Sequence, residues 1–274
     1  NEDPAIDTVT GLAGVIQTVN SNAEDTLVNN VITAADADKL LAALKALGLK
    51  NVADSNKAIY WDDANANFDA SVVTGADNEA KITAAQNQVN ALNLDAVKNA
   101  ADADKLLVAL KAYGVKNVVD ANKVEYKAAN FAAAASVANV QAIVNDVNTV
   151  VAVNGAKTPE AARTALAPVA LAATASDDYL ELTSAAKLEV AELFLAIKAA
   201  DRTNLTDGKY SAVADIKTDL ETVTGDYKQL LDDVNGATTI ADMAAALGAI
   251  GIEAFDNLDA AAQLDAAEAF LANY

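Results

Sequence analysis

The chain has 274 residues, 39 of them acidic and 19 basic, for a net charge of −20. A field of that sign repels nucleic acid and anionic membrane surfaces, so nucleic-acid binding is not expected, and no apolar run is long enough to span a membrane, so membrane insertion is not expected either. Histidine and cysteine are both absent, which removes the usual general base, the thiol nucleophile, the common transition-metal ligands and any disulfide framework.

Hydrophobic residues make up 53% of the chain, yet only 5% is aromatic and alanine is the commonest residue. Alanine is the best helix former and buries little area per residue, so the composition predicts close-packed helices rather than sheets. The length suits one large domain or two to four small modules. The first residues, Asn1-Glu2-Asp3-Pro4, carry no methionine, as in a mature end left by signal cleavage or in a trimmed chain. A cysteine-free composition agrees with a cytosolic protein or with a secreted one from a Gram-positive bacterium.

Along the chain, the first clear element follows Asp36. Ala37, Leu40, Leu41, Leu44 and Leu47 fall on one face of a helix. Asp36 is placed to cap its start and Gly48 to end it. The segment then returns: Ala34–Tyr60 matches Ala100–Tyr126 at 20 of 27 positions. Asp102 and Gly114 take the capping places, with Leu106, Leu107, Leu110 and Tyr113 on the apolar face. Both copies continue into Asn-Phe, at Asn67-Phe68 and Asn130-Phe131, and each has a later Val-Asn pair, Val89-Asn90 and Val147-Asn148. The Gln-rich stretch 82–92 reads as a further helix.

Residues 153–167 and 234–248 hold a weaker related pair. Aligning Ala43-Leu44, Ala109-Leu110, Ala165-Leu166 and Ala246-Leu247 puts Asp36, Asp102, Thr158 and Thr239 at equivalent cap positions. Ile240, Met243, Leu247 and Ile250 form the apolar face of the last copy, and Gly251 is its stop. Pro168 replaces the stop glycine in the third copy and is expected to end that helix. The expected fold is all-α: a tandem array of about four short helical-bundle repeats, each of about three helices. Their bounds are 1–82, 83–147, 148–225 and 226–274, with a loop at 203–210.

The residues Val234, Asn235, Ala237, Thr239, Met243, Ala246, Leu247, Gly251 and Leu258 carry a likeness. The segment 234–274 resembles the helical repeats of Gram-positive cell-surface proteins, including surface-layer and cell-wall-associated proteins. The other units share the pattern more loosely, and no wall-anchoring module is recognisable. The resemblance implies a secreted, cell-surface, lattice-forming or wall-associated role with no catalytic residues to carry over.

No phosphate-binding glycine loop or nucleophile elbow is present, and an enzyme is not expected. A self-associating coat protein is the leading expectation. The alternative is a monomeric surface module acting as an adhesin, a wall-polymer binder or an inhibitor. No cofactor is called for. Calcium, a hard ion that takes oxygen ligands, is the candidate ion for Asp62-Asp63, Asp177-Asp178 and Asp232-Asp233, whose bland reading is caps and solvated faces. The lysines in register (39, 45, 50, 57 and 105, 111, 116, 123) are expected to pair with nearby aspartates. Candidate contact residues are Trp61, which becomes Lys127 in the second copy, its neighbour Tyr60, and the terminal Phe270, Leu271 and Tyr274.

Overall fold

In the computed structural model, residues 9–61, 67–172, 177–199, 205 and 208–273 are described. These residues form helices joined by turns and short 3-10 segments, and the fold is all-α. The chain divides into two units, Asn1–Asn148 and Thr149–Tyr274. The first holds α1 (Val9–Ile32), α2 (Ala37–Ala46), α3 (Lys57–Tyr60), α4 (Asn78–Lys98), α5 (Ala103–Ala112) and α6 (Lys123–Ala128). Helix α7 (Val137–Gly155) contains the division. The second unit continues with α8 (Pro159–Ala172), α9 (Asp177–Glu181), α10 (Ser184–Ala199), α11 (Val213–Gly236), α12 (Ile240–Ile250), α13 (Glu253–Asp256) and α14 (Ala260–Asn273).

The local signals act as the sequence predicts. Asp36 and Asp102 accept the backbone N–H of Lys39 and Lys105 at 2.8 Å. Thr158 accepts that of Ala161 at 3.3 Å, and Thr239 that of Asp242 at 3.1 Å. Each cap satisfies one of the donors that a helix start leaves free. Gly48, Gly114 and Gly251 have φ of 77°, 81° and 75°, the left-handed conformation that lets the last carbonyls bond backwards. Leu49 and Val115 N–H accordingly reach Leu44 and Leu110 O.

Four clusters of buried side chains lie along the described chain. The four aligned Ala-Leu pairs are buried, and each leucine belongs to a different cluster. Helices α4 and α11 each serve two clusters. Ala85 and Val89 of α4 close the first core, while Leu94 and Val97, further along the helix, help build the second. Likewise Ile216, Leu220 and Val223 of α11 belong to the third core, and Val234 packs against the fourth. In the first unit Val140 and Val144 of α7 complete the second core; in the second unit Val153 enters the third. The expected limits at 82, 147 and 225 therefore fall inside helices.

Three expectations need correction. Pro168 does not stop its helix: α8 continues to Ala172 because Val169 and Ala170, at 1% and 3% exposure, are held in the third core. Their burial outweighs the hydrogen bond that proline removes. Second, Val89-Asn90 does not correspond to Val147-Asn148. Val89 and Val144 are both fully buried, and Gln86 and Gln141 make the same bonds. The offset between the copies is smaller here than between Asp36 and Asp102, because the connection ahead of α7 is shorter than the one ahead of α4. Third, Ile240 on the last apolar face is 37% exposed; it stands at the helix start, beyond the reach of the fourth core. Of the loop expected at 203–210, residues 203, 204, 206 and 207 lie outside the described residues.

Candidate functional site

The duplicated residues converge on a polar framework inside each of the first two repeats. In the first, Asn93 is fully buried in the C-terminal half of α4. Its Oδ1 accepts from Asn56 Nδ2 at 2.7 Å and from the Tyr60 hydroxyl at 3.0 Å, and its Nδ2 donates to Asn51 O at 2.8 Å. In the second, Asn148 receives Asn122 Nδ2 and the Tyr126 hydroxyl at 2.9 and 2.5 Å, and donates to Asn117 O at 2.8 Å. Asn51 and Asn117 take φ of 61° and 56°, a left-handed turn that asparagine tolerates. Burial is the main cause that pushes the Tyr60 phenol above its ordinary pKa, so it stays a neutral hydrogen-bonding group.

A second device recurs beside it. Gln86 presents its amide to one residue's backbone: Lys50 N–H donates to Oε1 at 2.7 Å, and Nε2 donates to Lys50 O at 3.1 Å. Gln141 does the same to Lys116, Gln88 to Asp69, and Asn154 to Tyr210. A side-chain amide thus substitutes for a paired strand and satisfies loop groups that would otherwise be left open. Asn93 and these glutamines are not among the residues singled out from the sequence, and Asn148 stands there opposite Asn90 rather than Asn93. The available signal was a common spacing, shared by Asn93 with Asn148 and by Gln86 with Gln141, and the change of loop length hid it.

Six of the eight lysines in register, all but Lys50 and Lys116, form the expected ion pairs. Lys45 meets Asp54 at 2.6 Å and Lys57 meets Asp38 at 2.9 Å; Lys111–Asp120 and Lys123–Asp104 repeat them at 2.6 and 2.5 Å. The hydrogen bonds that Lys57 and Lys123 donate to Asp38 and Asp104 are the largest cause raising their pKa. All these partners are solvent-exposed, so each pair contributes little to stability.

The candidate contact residues divide. Tyr60 is 1% exposed and belongs to the interior, so it presents no contact surface; its ring fills the first core and its hydroxyl is engaged by Asn93. Trp61 is half-buried against the same core and lines a cleft of about 260 Å³ with Val31, Leu40 and Phe68. At the equivalent place Lys127 Nζ donates to Ala100 O at 2.5 Å. Phe270 and Leu271 are half-buried against the fourth core. Tyr274 lies outside the described residues, as do Asp62 and Asp63.

Of the acidic pairs, Asp178 binds Lys228 at 2.6 Å and Asp233 accepts from Gln229 at 2.7 Å. Among the described residues no cluster of three or more acidic side chains is arranged to hold a metal ion, and no helix is long and apolar enough to cross a membrane. A larger apolar cleft, of about 490 Å³, runs between Ile59 of α3 and Val108 of α5. No protein-family model, curated protein or solved structure matches the chain.

Proposed function

We propose that the protein is a non-enzymatic extracellular structural protein that self-assembles into a bacterial surface coat, lattice or fibre. One observation carries this reading: the chemistry duplicated between the first two repeats is all framework. Identical residues serve as caps, helix stops, ion pairs and buried amide junctions, and none forms a nucleophile–base pair or a paired-carboxylate centre. Duplication that preserves only scaffold suits a part used as a building block. The resemblance of 234–274 to Gram-positive surface repeats supports the same role, with secretion and a cell-wall polymer as the neighbouring phase. A chain at −20 must neutralise or avoid its own charge when copies pack, which makes calcium a candidate aid to assembly.

Light scattering and electron microscopy of the purified chain, with and without millimolar calcium, test this. Growth into fibres or sheets is expected; a strictly monomeric protein under all these conditions rules it out. The Trp61 cleft favours a second reading, a monomeric module that binds wall polymer. In that case wall fragments would quench Trp61 fluorescence while the protein remained monomeric.

A further inference from the structure

The two copies of the duplicated segment share a framework but differ, together, around one cleft. In the first copy Trp61 lines a cleft of about 260 Å³ whose floor is Val31, Leu40 and Phe68, at 1%, 2% and 3% exposure. Asp69 and Ser71 line the same cleft and are exposed.

In the second copy the matching positions hold other chemistry. Trp61 becomes Lys127, whose Nζ donates to Ala100 O. In register with Asn67-Phe68 and Asn130-Phe131, Asp69 and Ser71 become Ala132 and Ala134. At the offset that relates Gln86 to Gln141, Gln88 becomes Ile143. Leu40 and Phe68, by contrast, recur as Leu106 and Phe131 and are buried in both copies. Four residues thus differ as a set around a floor that stays the same.

Gln88 belongs to the set because it fixes Asp69. It accepts the Asp69 N–H at 2.8 Å and donates to Asp69 O at 2.6 Å, which pins this loop to α4. Asp69 Oδ1 in turn accepts the Ser71 N–H at 2.9 Å. Hydrogen bonds from the Ser71 side chain and then its backbone hold the Asp69 carboxyl below its ordinary pKa. An ionised acceptor is therefore held in place beside the indole before any ligand arrives, which lowers the cost of binding one.

We propose that this cleft binds an N-acetylhexosamine residue of a glycan, stacked on Trp61 and hydrogen-bonded by Asp69 and Ser71. The proposal rests on the wall-polymer reading above and names the chemistry recognised. An indole offers a flat apolar face, the complement of a pyranose ring, which carries C–H groups on its faces and hydroxyls around its edge. A carboxylate accepts hydroxyl hydrogens in charge-assisted bonds, and it repels phosphate and carboxylate groups, so the ring is a neutral one. The floor of Val31, Leu40 and Phe68 has no side-chain polar atom, so it suits the methyl of an acetamido group and penalises a bare hydroxyl. The volume lies just below the ~300–1,000 Å³ of small-molecule sites, which is room for one ring. A ligand of that size corresponds to a Kd on the order of 1 mM.

Trp61 is the single tryptophan of the chain, so its fluorescence reports this cleft alone. Chitotriose, built of N-acetylglucosamine, should perturb that fluorescence with millimolar affinity. Cellotriose, the same chain without acetamido groups, should bind at least about tenfold more weakly. Calorimetry then follows the variants. Asp69→Asn keeps an acceptor for the Ser71 N–H but loses the charge, and should weaken chitotriose binding about tenfold. Trp61→Lys, which copies the second repeat, should abolish it; if that variant loses helical content, Asp69→Asn, altered only at an exposed side chain, still decides. Equal binding of the two sugars, unchanged binding by Asp69→Asn, or a stronger response to tetramethylammonium than to chitotriose would overturn the proposal. Wall fragments that bind while chitotriose neither binds nor competes would also overturn it, yet leave the wall-polymer reading standing. If wall fragments fail to bind as well, both fall.

Discussion

Asn93 has no exposure and satisfies three partners at once: a side-chain amide, a phenol and a backbone carbonyl. Removing such a junction leaves buried donors and acceptors unpaired, which costs more than the hydrogen bonds themselves contribute. Asn93→Ala should therefore destabilise the first unit by about 2–4 kcal/mol. Asn148→Ala, at a site nearer solvent, should cost less. Denaturant melts of the two variants compare them directly, and equal effects would contradict the burial argument.

Tyr227 supplies a spectroscopic check at the same scale. Burial first, and then its hydrogen bond to Glu189, push its phenol up to about 12. The raised value means that the folded chain holds this proton more tightly than the unfolded one. The associated stability is present below about pH 10 and is lost as the pH rises toward about 12. Burial also raises Tyr60, Tyr113 and Tyr179, so an ultraviolet titration should show several late tyrosinate transitions, one of which Tyr227→Phe removes.

At the scale of elements, caps and stops act one helix at a time. Thr239→Ala should cost about 1 kcal/mol by freeing the donor it accepts. Gly251→Val should cost more, because nothing crowds the site yet its φ of 75° resists a β-branched side chain. The glycines of the first two repeats are not equivalent in this respect. A Cβ at Gly48 meets open space, whereas one at Gly114 collides with the side chain of Asn51. Gly114→Ala should lower the melting temperature more than Gly48→Ala, although both lie at similar positive φ.

Across the first unit, the shared helix makes neighbouring repeats interdependent. Helix α4 contributes Ala85 and Val89 to one core and Leu94 and Val97 to the next. Ala91, exposed between those sets, can be changed without touching either core. Ala91→Pro should break the helix at a cost of about 3 kcal/mol or more and weaken both cores together. Hydrogen exchange is expected to show amides of α2 and α5 losing protection in concert. Loss confined to one of them would mean that the repeats unfold independently.

The parts legible in the sequence are those whose physics spans a few residues. Asp36, Thr239 and Gly114 announce helix ends because a cap reaches three residues and a left-handed glycine needs no partner. The apolar faces of α2 and α5 were legible for the same reason, as was the all-α fold. The amide junctions were not: Gln86 finds Lys50 across 36 positions and Asn93 finds Asn56 across 37, and an amide shows no preference for one backbone over another until the chain brings them together. Pro168 reads as a stop, and only the burial of Val169 and Ala170 carries the helix through it. Leu12, Val15, Ile16 and Val19 of α1 have helical spacing in the sequence and stay exposed, but the same spacing on α2 is buried. Which apolar face is left exposed is decided by where the cores close, and that depends on residues far apart in the chain.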